Sequence, residues 1–324
     1  MTAAPTRSMR VPETWAGARL DRALAEHLGV PRNQIQGWLR AGLVRLDGAA
    51  VVKAGTSLRP GQSLAWEEPP ARAERLVAEP GELSVLHEDA HLIAIDKPAG
   101  LVVHPGAGRA SGTLVHRLLA RYPELAGVGG PGRPGIVHRL DQGTTGVLVV
   151  ARDAPTYQRL VREFAARRVD KRYLAIAWGA PRALAGEIEA PVGRHPRQRK
   201  RMAVVARGRP ARTGWRCLAA AGPVCLFELR LWTGRTHQIR VHLRHLGHPL
   251  VGDPLYGEGR GRALAGAAKQ ALAEFSRPAL HAWRLALDHP ATGTRLTLEA
   301  PVPADLVRLW SAATGTAFPG LERD

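Results

Sequence analysis

Residues 136–150, IVHRLDQGTTGVLVV, place a polar turn between two apolar runs that have the composition of strands. The turn carries Asp141, with Arg139 two positions before it. A carboxylate and an arginine held between apolar runs form a candidate functional site. The alternative is structural, because an Asp close to Gly in a turn commonly hydrogen-bonds its own backbone. The stretch therefore predicts strands on both sides and a candidate site between them.

Composition limits the class of protein and of partner. The chain has 324 residues, of which 45% are apolar, enough for a large core and for more than one domain. Lys and Arg number 46 against 28 Asp and Glu, which gives a formal net charge of +18. Such an excess indicates a polyanionic partner, and the alternative is a basic surface that serves solubility.

Targeting signals and cysteine usage predict the compartment. The first twelve residues lack the apolar core of a signal peptide, and no stretch approaches the ~20 apolar residues of a membrane span. The two cysteines, Cys217 and Cys225, form neither a disulfide framework nor a metal knuckle, which favours a reducing compartment. We therefore expect a soluble, cytoplasmic, monomeric protein with no membrane partner.

The first part of the chain predicts a small α/β domain. We expect a flexible tail over 1–16 and a compact unit over 17–66. Apolar spacing predicts one helix that ends at Gly29 and a second helix near 32–41 that Pro31 opens. A hairpin around an Asp-Gly turn, with strands at 43–46 and 51–53, and a short strand at 64–66 follow. The Pro/Glu/Ala-rich residues 67–80 are predicted to be a linker.

From residue 81 to 310 the pattern predicts a second, larger domain, followed by a C-terminal tail over 311–324. Strands and helices do not alternate regularly, which favours an α+β fold with a mixed, mainly antiparallel sheet over a doubly wound one. Helices are predicted at 113–121, 154–168 and 236–246. Strands are predicted at 83–87, 91–96, 135–138, 146–151, 171–178, 212–220, 224–232, 281–288 and 294–299.

The helix predicted at 236–246 carries His237, Arg240 and Arg244 on one face. A solvated basic face is the alternative to a functional one. Four histidines in this region raise the possibility of zinc, but they lack the helical i, i+4 pair and no Cys or carboxylate is interleaved. We predict no metal site here; the histidines are His237, His242, His245 and His248.

Tyr173 lies among basic residues at the start of a predicted strand, in the stretch DKRYLA at 170–175. A strand tyrosine usually serves packing, and the alternative is a ring that stacks or hydrogen-bonds at a site.

A run of eight Arg and Lys residues without an acid occupies 194–212. A solvated face so one-sided would repel itself, so the run favours contact with phosphates. The basic residues that we single out in it are Arg194, Arg197, Arg199, Lys200 and Arg201.

Hydrolase triads and cofactor fingerprints are absent from the sequence. There is no Gly-x-Ser-x-Gly, no His-Glu-x-x-His and no Gly-x-Gly-x-x-Gly after a predicted strand. This indicates chemistry by a single carboxylate with arginine support and no bound cofactor.

The order of five blocks closely resembles the RluA/RluD-type pseudouridine synthases, which isomerise uridine to pseudouridine in RNA. The resemblance covers about 83 to 310, and residues 17–66 resemble the S-four RNA-binding domain that precedes the catalytic domain in the RluD branch. In that small domain Arg32-Asn33-Gln34 replaces the usual start of the second helix. The blocks are DKPAGLVVHPG at 96–106, HRLDQGTTGVLVVAR at 138–152, DKRYLAIAWG at 170–179, PVGRHPRQRKRMAV at 191–204 and TGRTHQIRVHLRHLGHPLVGDPLYG at 233–257.

The resemblance implies roles for individual residues. Asp141 falls at the catalytic Asp, Tyr173 at the active-site Tyr that packs on the target base, and Arg240 at the basic partner of the Asp. Arg139 falls at the Arg that enters the duplex where the base leaves. The resemblance implies neither metal nor cofactor. The residues from which we expect RNA contacts are Arg139, His138, Arg194, Arg197, Arg199, Lys200, Arg201, Arg235, His237, Arg32 and Arg40.

Physical chemistry agrees with these roles. A uridine in structured RNA must be unstacked before its glycosidic bond is reachable, which costs a few kcal/mol. Tyr173 offers a stacking face worth ~1–3 kcal/mol per base, and an arginine partner keeps a carboxylate such as Asp141 ionised. Attack on the sugar, attack on the base and abstraction of a ribose proton all remain open.

We therefore expect an RNA pseudouridine synthase that acts on large-subunit ribosomal RNA. The alternatives are a synthase that acts on tRNA and a non-catalytic RNA-binding or ribosome-assembly factor. The Asp141, Tyr173 and Arg240 set favours an enzyme, because a pure binder has no need of it.

Overall fold

The structure, a computed structural model, describes residues 6–321 except 31, 69–75, 107–108, 131, 199 and 258–265. The described residues form two compact units, the first ending before residue 69 and the second beginning at Leu76. Half of the predicted linker at 67–80, residues 69–75, and both chain ends, 1–5 and 322–324, lie outside the described residues.

The first unit packs two helices on a small antiparallel sheet. The elements are β1 (Thr6–Arg10), α1 (Leu20–Leu28), α2 (Arg32–Arg40), β2 (Val44–Leu46), β3 (Ala49–Ala50) and β4 (Ser63–Glu67). The strands lie in the order β1-β4-β2-β3, and α1 ends at Gly29, whose φ of 65° is left-handed. Leucine and isoleucine side chains from both helices share one core with the sheet.

Two expectations for this unit are wrong. The tail predicted over 1–16 contains β1, whose five residues all pair with β4. Its sequence TRSMR is too polar to be recognised as a strand, because β1 is a largely exposed edge strand held by backbone hydrogen bonds. The hairpin after the Asp-Gly turn closes at Ala49–Ala50 instead of 51–53.

The second unit contains the remaining elements. These are β5 (Ser84–Glu88), β6 (Leu92–Lys97), α3 (Leu114–Arg121), β7 (Thr145–Ala151), α4 (Ala154–Ala165), β8 (Asp170–Trp178), β9 (Ala185–Glu189), β10 (Val192–Arg194), β11 (Met202–Val204), β12 (Arg212–Ala221), β13 (Val224–Leu231), α5 (Gln238–His245), α6 (Gly266–Glu274), β14 (Leu280–Asp288), β15 (Arg295–Glu299) and α7 (Ala304–Thr314). Within the described ranges, every helix is too short or too polar to span a lipid bilayer.

One large sheet organises this unit. Its order is β5-β6-β7-β14-β8-β13-β12-β9, with β15 paired to β14, and the pairing of β14 with β7 is parallel while its neighbours are antiparallel. The predicted α+β class with a mixed, mainly antiparallel sheet is confirmed. Gly146 makes the parallel contact possible, because its φ is 110° and a Cβ there would lie 2.2 Å from the Ala282 carbonyl oxygen.

β8 is the central strand and is buried on both faces. Its odd-numbered residues Tyr173, Ala175 and Ala177 belong to the core on one face of the sheet, and its even-numbered residues belong to the core on the other face. α7 covers the second face with Leu306, Leu309 and Trp310. The Tyr173 side chain therefore lies on the first of these faces, in the same core as side chains of β7.

Several element predictions need correction in this unit. The strand expected at 135–138 is only an isolated bridge between Ile136 and Val150, because Gly135 with a φ of 66° turns the chain. The first helical residue of α5 is Gln238, not residue 236, since His237 is left-handed with a φ of 57°. α7 extends into the predicted tail at 311–324 because its last turn still buries Ala313.

Candidate active site

Asp141 lies in the turn that leads into β7. The turn is closed by the amide of Thr144, which donates to the Asp141 carbonyl at 3.0 Å. Lys97 is fully buried at the end of β6 and hydrogen-bonds the backbone of this turn. Its Nζ donates to the carbonyl oxygens of Leu101 at 2.8 Å and Gln142 at 3.3 Å. Burial lowers the pKa of Lys97 to about 7, against the opposing effect of the Asp141 charge.

Arg240, near the start of α5, joins two carboxylates. Its Nη1 donates to Asp141 Oδ2 at 3.2 Å, and its Nε and Nη2 donate to Asp253 at 2.7 and 2.8 Å. Burial lowers the pKa of Arg240, but hydrogen bonds and charge from Asp253 and then Asp141 outweigh it and raise that pKa. Arg240 is therefore a permanent cation whose orientation towards Asp141 is fixed by Asp253.

Tyr173 lines the same cleft as Asp141 and Arg240, and it is only 8% exposed. Burial, followed by the nearby negative charge of Asp141, raises the pKa of its phenol well above the usual range. The phenol is therefore protonated at neutral pH. Its ring gives the cleft an apolar wall beside the carboxylate, and Leu231 and Ile239 extend that wall.

His237 completes the polar side of the cleft. Its Nε2 is 3.9 Å from Asp141 Oδ2, and its Nδ1 is 3.0 Å from the Tyr256 hydroxyl. That hydroxyl accepts the amide of Met202 at 2.8 Å, which leaves its own proton for Nδ1. Burial lowers the pKa of His237 against the opposing charge of Asp141, which favours the neutral ring.

Thr144 lines the cleft beside Asp141. It is 2% exposed, and its buried Oγ1 has no hydrogen-bond partner among the described residues. The adjacent Thr145 differs, because its hydroxyl lies 2.9 Å from His281 Nδ1. The two hydroxyls of the Thr-Thr pair therefore have different surroundings.

The two residues His138 and Arg139, which precede Asp141 by three and two positions, have different surroundings. Arg139 is exposed at the rim of the cleft, and its side chain has no hydrogen bond or ion pair with any described residue. His138 is engaged internally, since its Nε2 accepts the Val149 amide at 3.0 Å and its ring stacks on Phe164 at 4.7 Å. Burial, with a further contribution from the Lys171 charge, lowers the pKa of His138 to about 3.

The basic run at 194–212 includes the hairpin of β10 and β11, which packs beside α5 through contacts among Met202, Val204 and Val241. Arg235 lies nearer, in the wall of the cleft itself. Arg199 lies outside the described residues. Of the remaining expected RNA contacts in the hairpin, Arg201 is partly buried, and the exposed ones are Arg194, Arg197 and Lys200.

In the first unit, Arg32 is committed to an internal network. It contacts the fully buried Asp21 at 2.8 Å, and Arg19 and Gln36 also donate to that carboxylate. Burial raises the pKa of Asp21, but these hydrogen bonds outweigh it and lower that pKa to about 2. Arg40 is exposed and donates to the Gln36 carbonyl at 3.1 Å.

Four residues that line or support the cleft were not predicted from the sequence: Lys97, Thr144, Asp253 and Tyr256. Each lies in a block that carried the resemblance, so the signal was present. Spacing alone gave no reason to choose them, because their roles depend on partners that are remote in the chain.

Comparison with known proteins supports one family. A family model described as RNA pseudouridylate synthase matches residues 91–245. A Pseudomonas aeruginosa protein named ribosomal large subunit pseudouridine synthase D is 44% identical over 94% of this chain and 95% of its own length. A Chloroflexus aurantiacus protein named as an uncharacterized RNA pseudouridine synthase is 48% identical, over 94% of this chain and 92% of its own length.

A solved structure supports the same relationship. Human RNA pseudouridylate synthase domain containing 1 superposes with a TM-score of 0.58 at 28% identity, covering 78% of this chain and 94% of that protein.

Proposed function

We propose that this chain, which belongs to the RNA pseudouridylate synthase family, converts uridine to pseudouridine in large-subunit ribosomal RNA. Membership of the family makes the protein an isomerase that acts on RNA. Support for the large-subunit substrate comes from several relatives that bear that name and align with both units of this chain.

The observation that carries the chemistry is the hydrogen bond from Arg240 to Asp141 in a cleft walled by Tyr173. We propose Asp141 as the catalytic carboxylate, with Arg240 keeping it ionised and aimed into the cleft. The reaction is balanced without a co-reactant: the bond between ribose C1′ and uracil N1 breaks, the uracil turns, and a bond forms between C1′ and C5. N1 gains a proton and C5 loses one.

The other groups of the cleft serve that sequence. Tyr173 packs against the extruded uracil and holds a phenolic proton at neutral pH. Arg139, exposed at the rim, fills the space that the base leaves in the RNA stack. Whether Asp141 attacks the sugar, attacks the base or takes a ribose proton is a choice among three steps that all begin with the same ionised carboxylate.

RNA contacts outside the cleft complete the proposal. The exposed cations of the β10–β11 hairpin contact phosphates near the target, and residues 17–66 act as a second RNA-binding domain through Arg40 and, within its ion-pair network, Arg32. Because the proposed substrate is ribosomal RNA, we propose that the protein acts in the cytoplasm, and that it acts there as a monomer.

Mapping pseudouridines in ribosomal RNA and tRNA tests this function. RNA from cells that have the gene is compared with RNA from cells that lack it. The cells that lack the gene are then supplied with the wild-type gene, with the Asp141→Asn variant or with the control variant Asp288→Asn. Asp288 is exposed and pairs only with the exposed Arg295 among described residues. We expect large-subunit sites to disappear with the gene and to return with wild type and Asp288→Asn, but not with Asp141→Asn.

The other outcomes decide between the alternatives. Loss of pseudouridines from tRNA instead would identify tRNA as the substrate. If no pseudouridine were lost from either RNA, the proposed enzymatic function in the cell would be overturned. Restoration by Asp141→Asn would overturn the role of that carboxylate. Purified Asp141→Asn should bind RNA within a few-fold of wild type, since the carboxylate contributes no phosphate contact.

A further inference from the structure

We propose that a second cleft, adjoining the one that holds Asp141, binds a backbone phosphate of the RNA strand beside the target nucleotide, and that Lys171 is its central ligand. The proposal deepens the proposed function and rests on it for the identity of the strand. Neither the basic run nor the sequence motifs singled out Lys171 as a contact.

The second cleft is continuous with the catalytic one. Its volume, which is open to solvent, is about 1190 Å³. Both clefts are lined by Arg139, Tyr173 and Arg235. Lys171 and Tyr173 are two positions apart on β8, so their side chains extend from the same face of the sheet. An RNA strand whose base is stacked on Tyr173 therefore has its backbone within reach of Lys171.

Lys171 is unusual because its side chain is buried while its ammonium makes no direct polar contact with a described residue. The residue is 9% exposed and lines the second cleft. No described residue accepts a hydrogen bond from its Nζ or forms an ion pair with it, and the nearest defined contact is the Phe164 ring, 5.8 Å from Nζ to the centroid. A buried ammonium is stable only with compensating acceptors, and a phosphate provides them.

The carboxylate next to Lys171 in the chain is hydrogen-bonded by arginines. Asp170 accepts hydrogen bonds from Arg172 at 3.2 Å and from Arg230 at 3.0 Å. Its charge opposes the effect of burial on the pKa of Lys171, but it forms no direct ion pair with Nζ. The Lys171 ammonium therefore remains available to donate hydrogen bonds to a ligand.

The charge of the other side chains that line the second cleft also favours an anion as its ligand. The described lining contains five cationic side chains and no Asp or Glu. The cations repel one another. Burial and, to a smaller extent, Arg167 lower the pKa of Lys171 to about 8 against the opposing charge of Asp170, and burial together with Arg209 and Arg167 lowers the pKa of Arg235. An anion relieves this repulsion. The five cations are Arg139, Arg167, Lys171, Arg209 and Arg235.

The test measures RNA binding by the full chain and needs no turnover. The probe is fluorescent dodecauridylate, with its dissociation constant measured between about 50 and about 200 mM salt. The variants are Lys171→Met, which retains the apolar stem against Phe164, and Lys171→Arg, which retains the charge. The matched control is Lys269→Met, which removes the same charge from an exposed site on α6.

We expect Lys171→Met to weaken binding about tenfold and to reduce the slope of log affinity against log salt by about 0.7, the value for one contact on a single strand. Lys171→Arg should bind within about threefold of wild type. Lys269→Met should match wild type in affinity and slope. An unchanged slope in Lys171→Met, or a loss no larger than that of Lys269→Met, would overturn the proposal.

A second variant covers the case in which Lys171→Met does not fold, as judged by thermal unfolding. Arg209 is exposed in the lining, so Arg209→Gln leaves the core intact. A reduced slope then supports the cleft and an unchanged slope overturns it. Failure here is distinct from failure of the proposed function, because pseudouridine mapping reports turnover and this experiment reports only phosphate contact.

Discussion

Arg240 donates a hydrogen bond of 3.2 Å from Nη1 to Oδ2 of Asp141, although 99 positions separate the two residues in the chain. The remaining arms of the guanidinium are held by Asp253, which is fully buried. The carboxylate that we propose as catalytic is therefore positioned through an arginine that is itself positioned by a second carboxylate.

Arg240→Lys tests whether this bridge is needed. An ammonium keeps the charge but cannot reach both carboxylates in a planar fork. We expect turnover to fall about 100-fold, as misplacement of a reacting group does. The free energy of unfolding should fall by about 3 kcal/mol, because Asp253 loses its buried partner. Arg244→Lys, exposed on the same helix, is the control for both measurements. Wild-type turnover in Arg240→Lys would show that charge alone suffices.

Tyr173→Phe separates the ring from its hydroxyl. The ring that packs on the base is unchanged, so RNA affinity should stay within about twofold, since stacking supplies that contact. Turnover should fall about 100-fold if the raised phenol pKa holds a proton for transfer. Single-turnover kinetics on RNA measures this. The control is Tyr157→Phe, since Tyr157 lines neither cleft. Full activity in Tyr173→Phe would restrict Tyr173 to stacking.

The two threonines of the turn should respond in opposite ways to replacement by valine. Thr144→Val removes a hydroxyl that has no partner among the described residues, so stability should rise by about 1 kcal/mol while kcat/KM falls about tenfold. Thr145→Val removes the contact with His281 and should lower stability by about 1 kcal/mol. Thermal unfolding and steady-state kinetics measure both. Unchanged kcat/KM in Thr144→Val would mean that its hydroxyl does not contact the substrate.

Acid should destabilise the first unit through Asp21. The folded-state pKa of Asp21 is lowered from 3.8 to about 2, so its contribution is fully present above pH 3.8 and is lost as the pH falls towards 2. Asp21→Asn should remove about 1–2 kcal/mol of stability at neutral pH and abolish this dependence. Hydrogen exchange of α1 and α2 amides measures the effect. Equal acid sensitivity in wild type and Asp21→Asn would assign it to other carboxylates.

The sequence alone identified the features whose chemistry is local. The apolar runs around Asp141 predicted the strand that became β7, and irregular alternation predicted the α+β class. The five blocks indicated the family and selected Asp141, Tyr173 and Arg240. The predictions of β7, of the fold class and of the family are confirmed, because strand period, turn chemistry and motif order are properties of neighbouring residues. The roles of the three site residues stay predictions.

Local properties were also misleading where pairing decides the outcome. β1 is polar in sequence, and only its register with β4 makes it a strand. The run at 135–138 is apolar, yet Gly135 turns it out of the sheet.

Only the tertiary structure decided which groups meet and which are left without partners. The sheet order brings β7 and β8 to the same strand, β14, and the chain after β13 returns Arg240 to Asp141. The same packing gives the Thr145 hydroxyl a partner, whereas the Thr144 hydroxyl and the Lys171 ammonium have none among the described residues. Hydrogen bonds and charge compensation depend on distances of a few ångströms between residues remote in sequence, and those distances exist only once the sheet has formed.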